Sequence, residues 1–330
     1  MKEPLYLEEP KTLNYLFPIL VTAGQAIITP DTVDLYLDSR YLLLYSHLPY
    51  AQPLQDILPL PKKIQFDGGS LSYERVEQLR KSYPETTWIN LPHPVSDIRA
   101  IKSEDEQKKL IDAGHLNSRG FDFLLSQLKE GVSEEELARK LHLFFIEQGG
   151  DRLAFDPIIA FGAGSAAPHY RASSRKLKKG DIVLIDIGVR KHGYYSDMTR
   201  TQFFGPPHPE LEKIYHIVKE AQELALNYVK EGVTSIQLDQ IAREYITEQG
   251  YGPNFGHSLG HGVGLEIHEN PFLRSKPPEV TIKEGMCITI EPGIYLPELG
   301  GVRIEDAVIV TKEGSINLTN RSKDLMVIPC

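Results

Sequence analysis

Two stretches of the chain, LKEGVSEEELARKLHLFFIEQGG (128–150) and VKEGVTSIQLDQIAREYITEQGY (229–251), share a pattern. Lys129/Lys230, Glu130/Glu231, Gly131/Gly232, Val132/Val233 and Leu137/Leu238 match at an offset of 101 residues, and both stretches carry EQG, at 147–149 and 248–250. Each reads as a helix pair followed by strand-like sequence. A duplicated helix–helix–sheet unit folds as two related halves and places a site between them.

What precedes the repeat reads differently. Residues 1–98 alternate short apolar runs with polar turns. PLYL, AIITP, VDLYLDS and KIQFDGG read as strands, and LSYERVEQLRKSYP has Leu71, Val76 and Leu79 at helical spacing. This predicts a small α/β domain. LPHPVSDIRAIKS, with prolines at 92 and 94, is the natural linker into a second domain over 99–330. Ser103 with Glu106 and Ser133 with Glu136 fit capping boxes that open helices. The fold class expected for the whole is α+β.

A net charge of −9 argues against a general nucleic-acid or anionic-membrane surface. No apolar run is long enough to span a membrane. Of the two cysteines, Cys287 lies in the apolar run MCITI and Cys330 is the last residue; neither CxxC nor a zinc-ribbon spacing occurs. No structural disulfide is expected, and the chain reads as cytoplasmic.

Acids interrupt the apolar strands of the second domain. In DIVLIDIGVRKHGYYSDMTRTQFF, Asp186 and Asp197 stand equally far from the middle of a turn between Lys191 and His192, so a hairpin places them opposite each other. In MCITIEPGIYLPELGGVRIEDAVIVT, Glu291 and Glu305 flank a turn near PELGG and face each other in the same way. Four inward carboxylates repel one another unless cations compensate. Two divalent ions balance the four charges, with one histidine completing the set.

GHSLGHGVGLEIHE (256–269) supplies three histidines. His261 and His268 are seven apart and point to opposite faces of a continuous strand. They share a site only if the chain bends, which Gly262 and Gly264 permit, while Gly260 permits close backbone approach. His257 and His261, four apart, share a face as strand or helix. His169, in FGAGSAAPHY, is a fourth candidate. Spacing alone leaves open which histidine is a ligand.

FGAGSAAPHY, IDIGVRKHGYYSDMTRT, GHSLGHGVGLEIHENP, ITIEPGIY and GVRIEDAVIVT, in this order, resemble the Xaa-Pro peptidases of the pita-bread M24 metallopeptidase family, prolidase and aminopeptidase P. The resemblance covers nearly the whole chain. It implies a pita-bread (creatinase/aminopeptidase) domain with pseudo-twofold helix–sheet halves, preceded by a creatinase N-terminal-like domain. EPLYLEEPKTLNYL resembles that domain's first strand and following turn, without the helix that ordinarily precedes it.

By position, the resemblance implies Asp186, Asp197, His261, Glu291 and Glu305 as metal ligands, with Asp197 and Glu305 bridging two ions. It implies His169, His257 and His268 on the substrate side, Tyr295 and Arg303 lining the site, and Glu291 as general base and later acid. The oxygen-rich set favours Mn²⁺, with Co²⁺, Fe²⁺ and Zn²⁺ as alternatives. Implied partners are proline-containing peptides and a second copy of the chain in a homodimer. The activity implied is hydrolysis of the bond between an N-terminal residue and proline, leaning to aminopeptidase over dipeptidase. Methionine aminopeptidase and a non-catalytic binding protein of this fold are further alternatives.

Overall fold

The structure is a computed structural model that describes residues 3–57 and 59–329. Cys330 lies outside the described residues. The chain divides into two compact units, one ending at Asp97 and the other beginning at Ile98.

The first unit is built on a six-stranded sheet in the order β4-β3-β2-β1-β5-β6. Its strands are β1 (Leu5–Leu7), β2 (Gln25–Ile28), β3 (Val33–Leu37), β4 (Ala51–Pro53), β5 (Lys63–Phe66) and β6 (Thr87–Asn90). The first three form an antiparallel meander, and the remaining neighbours are parallel. Alternation along β1 sends Leu5 and Leu7 to one core, with Leu13 of helix α1 (Pro10–Leu16). It sends Tyr6 to the other core, with Val76 and Leu79 of α3 (Tyr73–Ser82). Helix α2 (Ser39–Tyr45) and the strands β4 and β6 have no counterpart in the sequence reading. The stretch expected as a turn after β1 is α1 instead: Pro10 sits in its first turn, where the missing N–H costs nothing.

Helix α4 (Ser96–Ala100) covers part of the expected linker. The second unit then opens with α5 (Glu104–Gln127), whose capping box is complete, Ser103 Oγ accepting from Glu106 N and the Glu106 carboxylate from Ser103 N. Helix α6 (Glu134–Glu147) has the Ser133 half of its box. The second pair is α7 (Pro209–Tyr228) and α8 (Ser235–Glu248).

The repeat read from sequence is a repeat of structure. Gly131 and Gly232 both turn the chain with positive φ (83° and 90°), as do Gly149 and Gly250 (80° and 90°). Gly131 N donates to Leu177 O and Gly232 N to Ile282 O, each at 2.9 Å. Ser133 bridges to Lys176 and Thr234 to Thr281. The duplication also reaches the strands. Gly180 and Gly285 have positive φ (89° and 84°), and six residues after each stands an acid, Asp186 and Glu291.

The strands of this unit are β7 (Arg152–Leu153), β8 (Ile158–Phe161), β9 (Asp181–Ile187), β10 (Val189–Lys191), β11 (Tyr194–Tyr195), β12 (Met198–Phe204), β13 (Gly260–Gly262), β14 (Glu269–Leu273), β15 (Cys287–Ile290), β16 (Gly293–Leu296), β17 (Gly300–Arg303), β18 (Asp306–Val310), β19 (Ser315–Asn317) and β20 (Val327–Ile328). One sheet runs β20-β12-β9-β8 and another β14-β13-β15-β18-β19. Val183, Ile185 and Ile187 of β9 pack with Leu124, Leu141 and Phe145 of α5 and α6. Ile288 and Ile290 of β15 pack with Ile214, Val218 and Leu238 of α7 and α8. Each helix pair thus covers one face of a sheet, and the alternate positions, which include Asp186 and Thr289, are left for the site.

Candidate metal and active site

Two hairpins deliver the four acids. In the first, Lys191 pairs with Tyr194 around a two-residue loop, His192–Gly193, in which both residues have positive φ (52° and 85°). The turn is therefore centred one residue later than the sequence suggested. Thr199, not Asp197, stands opposite Asp186. Asp197 lies diagonally across the hairpin from Asp186. The second hairpin matches expectation: Ile290↔Asp306 and Gly293↔Arg303 bracket Glu291 and Glu305, so the register sets them opposite each other.

The bend expected beside His261 is present. The β13–β14 ladder shifts register between His261 and Gly262 and resumes at Gly262↔Glu269, so residues 263–268 form an excursion. Its effect is to bring the His268 ring edge-on to His261, with centroids 4.2 Å apart. Gly260 is required for packing, because a Cβ there would lie 2.0 Å from Thr289 O. That closeness lets His261 N donate to Thr289 Oγ1 at 3.0 Å.

His261 Nδ1 donates to Gly262 O at 3.1 Å. This turns Nε2 toward Asp197 Oδ2 at 3.6 Å and Glu291 Oε1 at 3.3 Å. Between that nitrogen and those oxygens a proton or a metal ion has to sit. One ligand atom each from Asp197, His261 and Glu305 lies within 4.8 Å of the others. Asp186 Oδ1 and Glu305 Oε1 are buried without a hydrogen-bond partner among the described residues. Buried acceptor-only oxygens of this kind are costly unless a cation meets them. A divalent cation therefore fits these residues.

The electrostatics agree. Burial, then repulsion from Glu305, Asp186 and Glu291, pushes the Asp197 carboxyl well above its ordinary range. Burial, then Glu291 and Asp186, does the same to Glu305. Burial raises Asp186 against the pull of Arg303. For Glu291 burial is outweighed by His261, His257 and Arg303, which hold it at about 2.

Arg303 and Tyr295 form the wall behind the acids. Arg303 Nη2 donates to Asp186 Oδ2, Nη1 to Tyr295 OH at 2.8 Å, and Nε to Thr199 Oγ1 at 3.1 Å. Thr199 Oγ1 in turn donates to Glu305 Oε2 at 2.7 Å. His257 Nδ1 donates to Ser258 O, so its Nε2 accepts from Tyr295 OH, both at 2.8 Å. Burial lowers His257 and keeps it neutral, and burial raises Tyr295 to about 12.

Asp186, Asp197, His261, Glu291, Glu305, Arg303, His169, His257 and His268 line one cavity of about 590 Å³. Tyr295 is buried behind it, touching Arg303 and His257. His169 and His268 are exposed at its edge.

Several supporting residues were not read from sequence. Arg200 and Asp306 form a fully buried ion pair (Nη2–Oδ1 2.6 Å), and Arg200 Nη1 also donates to Glu305 O. Glu269, next to His268, accepts from Lys102 Nζ and Arg99 Nη2, both at 2.7 Å. The lone charge in the strand MTRTQFF is the available signal for Arg200. For Lys102 and Arg99, far along the chain, nothing in the sequence points to Glu269.

Comparison with known proteins gives concordant matches. Residues 108–312 match the model of metallopeptidase family M24. The Xaa-Pro dipeptidase of Pyrococcus furiosus is 43% identical over 310 residues, 92% of this chain and 89% of that protein. The structure of an Xaa-Pro dipeptidase from Bacillus anthracis superposes with a TM-score of 0.94 at 36% identity, over 99% of this chain and 95% of the other. An X-Pro aminopeptidase from Thermotoga maritima superposes at 0.88 with 30% identity, over 99% and 97%. The two related halves take the pita-bread fold, and the chain belongs to metallopeptidase family M24.

Proposed function

We propose that this metallopeptidase hydrolyses the peptide bond between an N-terminal residue and proline. The observation that carries the reading is the set of four acids, three of them buried, that line one cavity with His261; two of their oxygens have no hydrogen-bond partner among the described residues. Relatives and solved structures spanning nearly the whole chain carry the names Xaa-Pro dipeptidase and X-Pro aminopeptidase.

Asp186, Asp197, His261, Glu291 and Glu305 would hold two divalent cations, with Mn²⁺ favoured by the oxygen-rich set. Such ions supply an activated water and polarise the scissile carbonyl. Arg303 adds a positive charge that the balance drawn from sequence left out. The filled site then holds one more positive charge than negative, which suits a negative charge developing on the carbonyl oxygen.

The chain's own groups have separable tasks. Glu291, ionised and beside the cavity, takes a proton at Oε and returns it to the leaving proline nitrogen. His268 and His169, free at the cavity edge, donate to the developing oxyanion or the leaving nitrogen. Both nitrogens of His257 are taken, so it acts chiefly by holding Tyr295, which accepts from Arg303, which orients Asp186. Burial, then the neighbouring His261, lowers His268, so its role at neutral pH is that of a neutral donor.

A dipeptide substrate is the second reading, favoured over the aminopeptidase leaning by the names of the relatives at 43% and 44% identity. A cytoplasmic homodimer rests on sequence and resemblance alone. Purified protein supplied with Mn²⁺ and given Ala-Pro, Ala-Pro-Pro-Gly and Met-Ala-Ser tests the proposal. Cleavage of one or both proline substrates supports it; release of Met without Xaa-Pro cleavage overturns it.

A further inference from the structure

The cavity is lined by two arginines in different situations. Arg303 is buried and committed to Asp186, Tyr295 and Thr199. Arg171 is exposed, lines the same cavity, and its guanidinium has no partner among the described residues. Asp156, also exposed on the lining, forms no ion pair with it.

Arg171 nevertheless stands on a fixed stretch of chain. On one side Tyr170 OH donates to Glu134 Oε2 at 2.9 Å. On the other, Ser173 N and Oγ donate to the same oxygen at 2.9 and 2.7 Å. Glu134 is itself buried and also accepts from Phe161 N. An unpaired cation is thus held at the edge of a cavity whose interior carries four carboxylates.

We propose that Arg171 is a specificity-determining residue that binds the free carboxylate of an Xaa-Pro dipeptide. This rests on the Xaa-Pro reading above. In a dipeptide, the carboxylate sits on the proline ring, close to the scissile nitrogen. A cation at the cavity edge offers that carboxylate charge-assisted hydrogen bonds. In a longer chain the same position is a neutral amide, and Arg171 gains no such bond. The residue therefore biases the site toward dipeptides without touching the reacting atoms.

The test compares Ala-Pro with Ala-Pro amide, which differ only in that charge, using Mn²⁺-supplied wild type, R171Q and R171K. The expected result is that R171Q lowers the ratio of kcat/KM for Ala-Pro to that for the amide about tenfold, mainly through KM. R171K, which keeps the charge, recovers part of that ratio. A ratio equal in wild type and R171Q overturns the assignment, as does a fall of both values by one factor. If wild type cleaves neither compound nor Ala-Pro-Pro-Gly, the Xaa-Pro reading fails and the assignment with it; if it cleaves Ala-Pro-Pro-Gly alone, only the assignment fails. If wild type cleaves the two compounds and R171Q leaves the ratio intact, the assignment alone fails.

Discussion

The His268 ring meets the His261 ring edge-on, with centroids 4.2 Å apart, although seven residues separate them in sequence. One of these rings presents Nε2 to the acids and the other stands exposed at the cavity edge. Their substitutions should therefore diverge. His261→Ala is expected to lose bound metal and activity together. His268→Ala is expected to keep its metal and lose about two to three orders of magnitude in kcat, the cost of one transition-state donor. Metal analysis and Ala-Pro kinetics on the same preparations check this; metal loss in His268→Ala would reverse the assignment.

Tyr295→Phe removes the hydroxyl that accepts from Arg303 Nη1 and donates to His257 Nε2. Two buried polar atoms lose their partner at once. The expected cost is about 1–3 kcal/mol in urea unfolding, with reduced kcat because Arg303 no longer holds Asp186 in place. Wild-type stability in the variant would show that the wall behind the acids is not held by this hydroxyl.

The divergence of the two hairpins shows how far the sequence could be read. The spacing of Glu291 and Glu305 about PELGG gave their facing arrangement, because that turn is centred where its residues suggest. For the first hairpin, RKHG offers two possible centres, and only the positive φ of His192 and Gly193 selects the later one. Which histidine faces the acids was not legible from spacing, because it depends on a ladder shift between His261 and Gly262. Arg200 was missed because a basic residue in a strand reads as solvent-facing, and its partner Asp306 lies 106 residues away.

That partner sets a stability prediction. Arg200 and Asp306 are both fully buried, and Asp306 also accepts from Gln222 and Lys323. Asp306→Ala leaves an unpaired guanidinium in the core and is expected to cost about 3–5 kcal/mol. Urea unfolding measures it. A loss below about 1 kcal/mol would mean that water reaches Arg200.

The metal-free protein should also respond to pH in a defined direction. Asp197, Glu305 and Asp186 are raised in the fold, burial being the first cause in each. Their contribution to stability is full below the unfolded carboxylate range and is lost as pH rises through the raised values. Glu291, held at about 2, contributes in the opposite sense: its share is present above the unfolded carboxylate range and is lost as pH falls from there through that value. The chelated protein is thus expected to melt lower at about pH 7 than at about pH 5, and Mn²⁺ to raise the midpoint more at the higher pH. Thermal unfolding with and without Mn²⁺ decides this; an equal or smaller metal increment at the higher pH would contradict it.

The most direct measurement pairs metal content with Ala-Pro hydrolysis in wild type and Asp197→Ala. Wild type is expected to bind two equivalents of Mn²⁺ per chain and to lose hydrolysis on chelation, regaining it when Mn²⁺ is returned. Asp197→Ala is expected to lose both metal and turnover. Hydrolysis of Ala-Pro at the wild-type rate by Asp197→Ala would contradict the account.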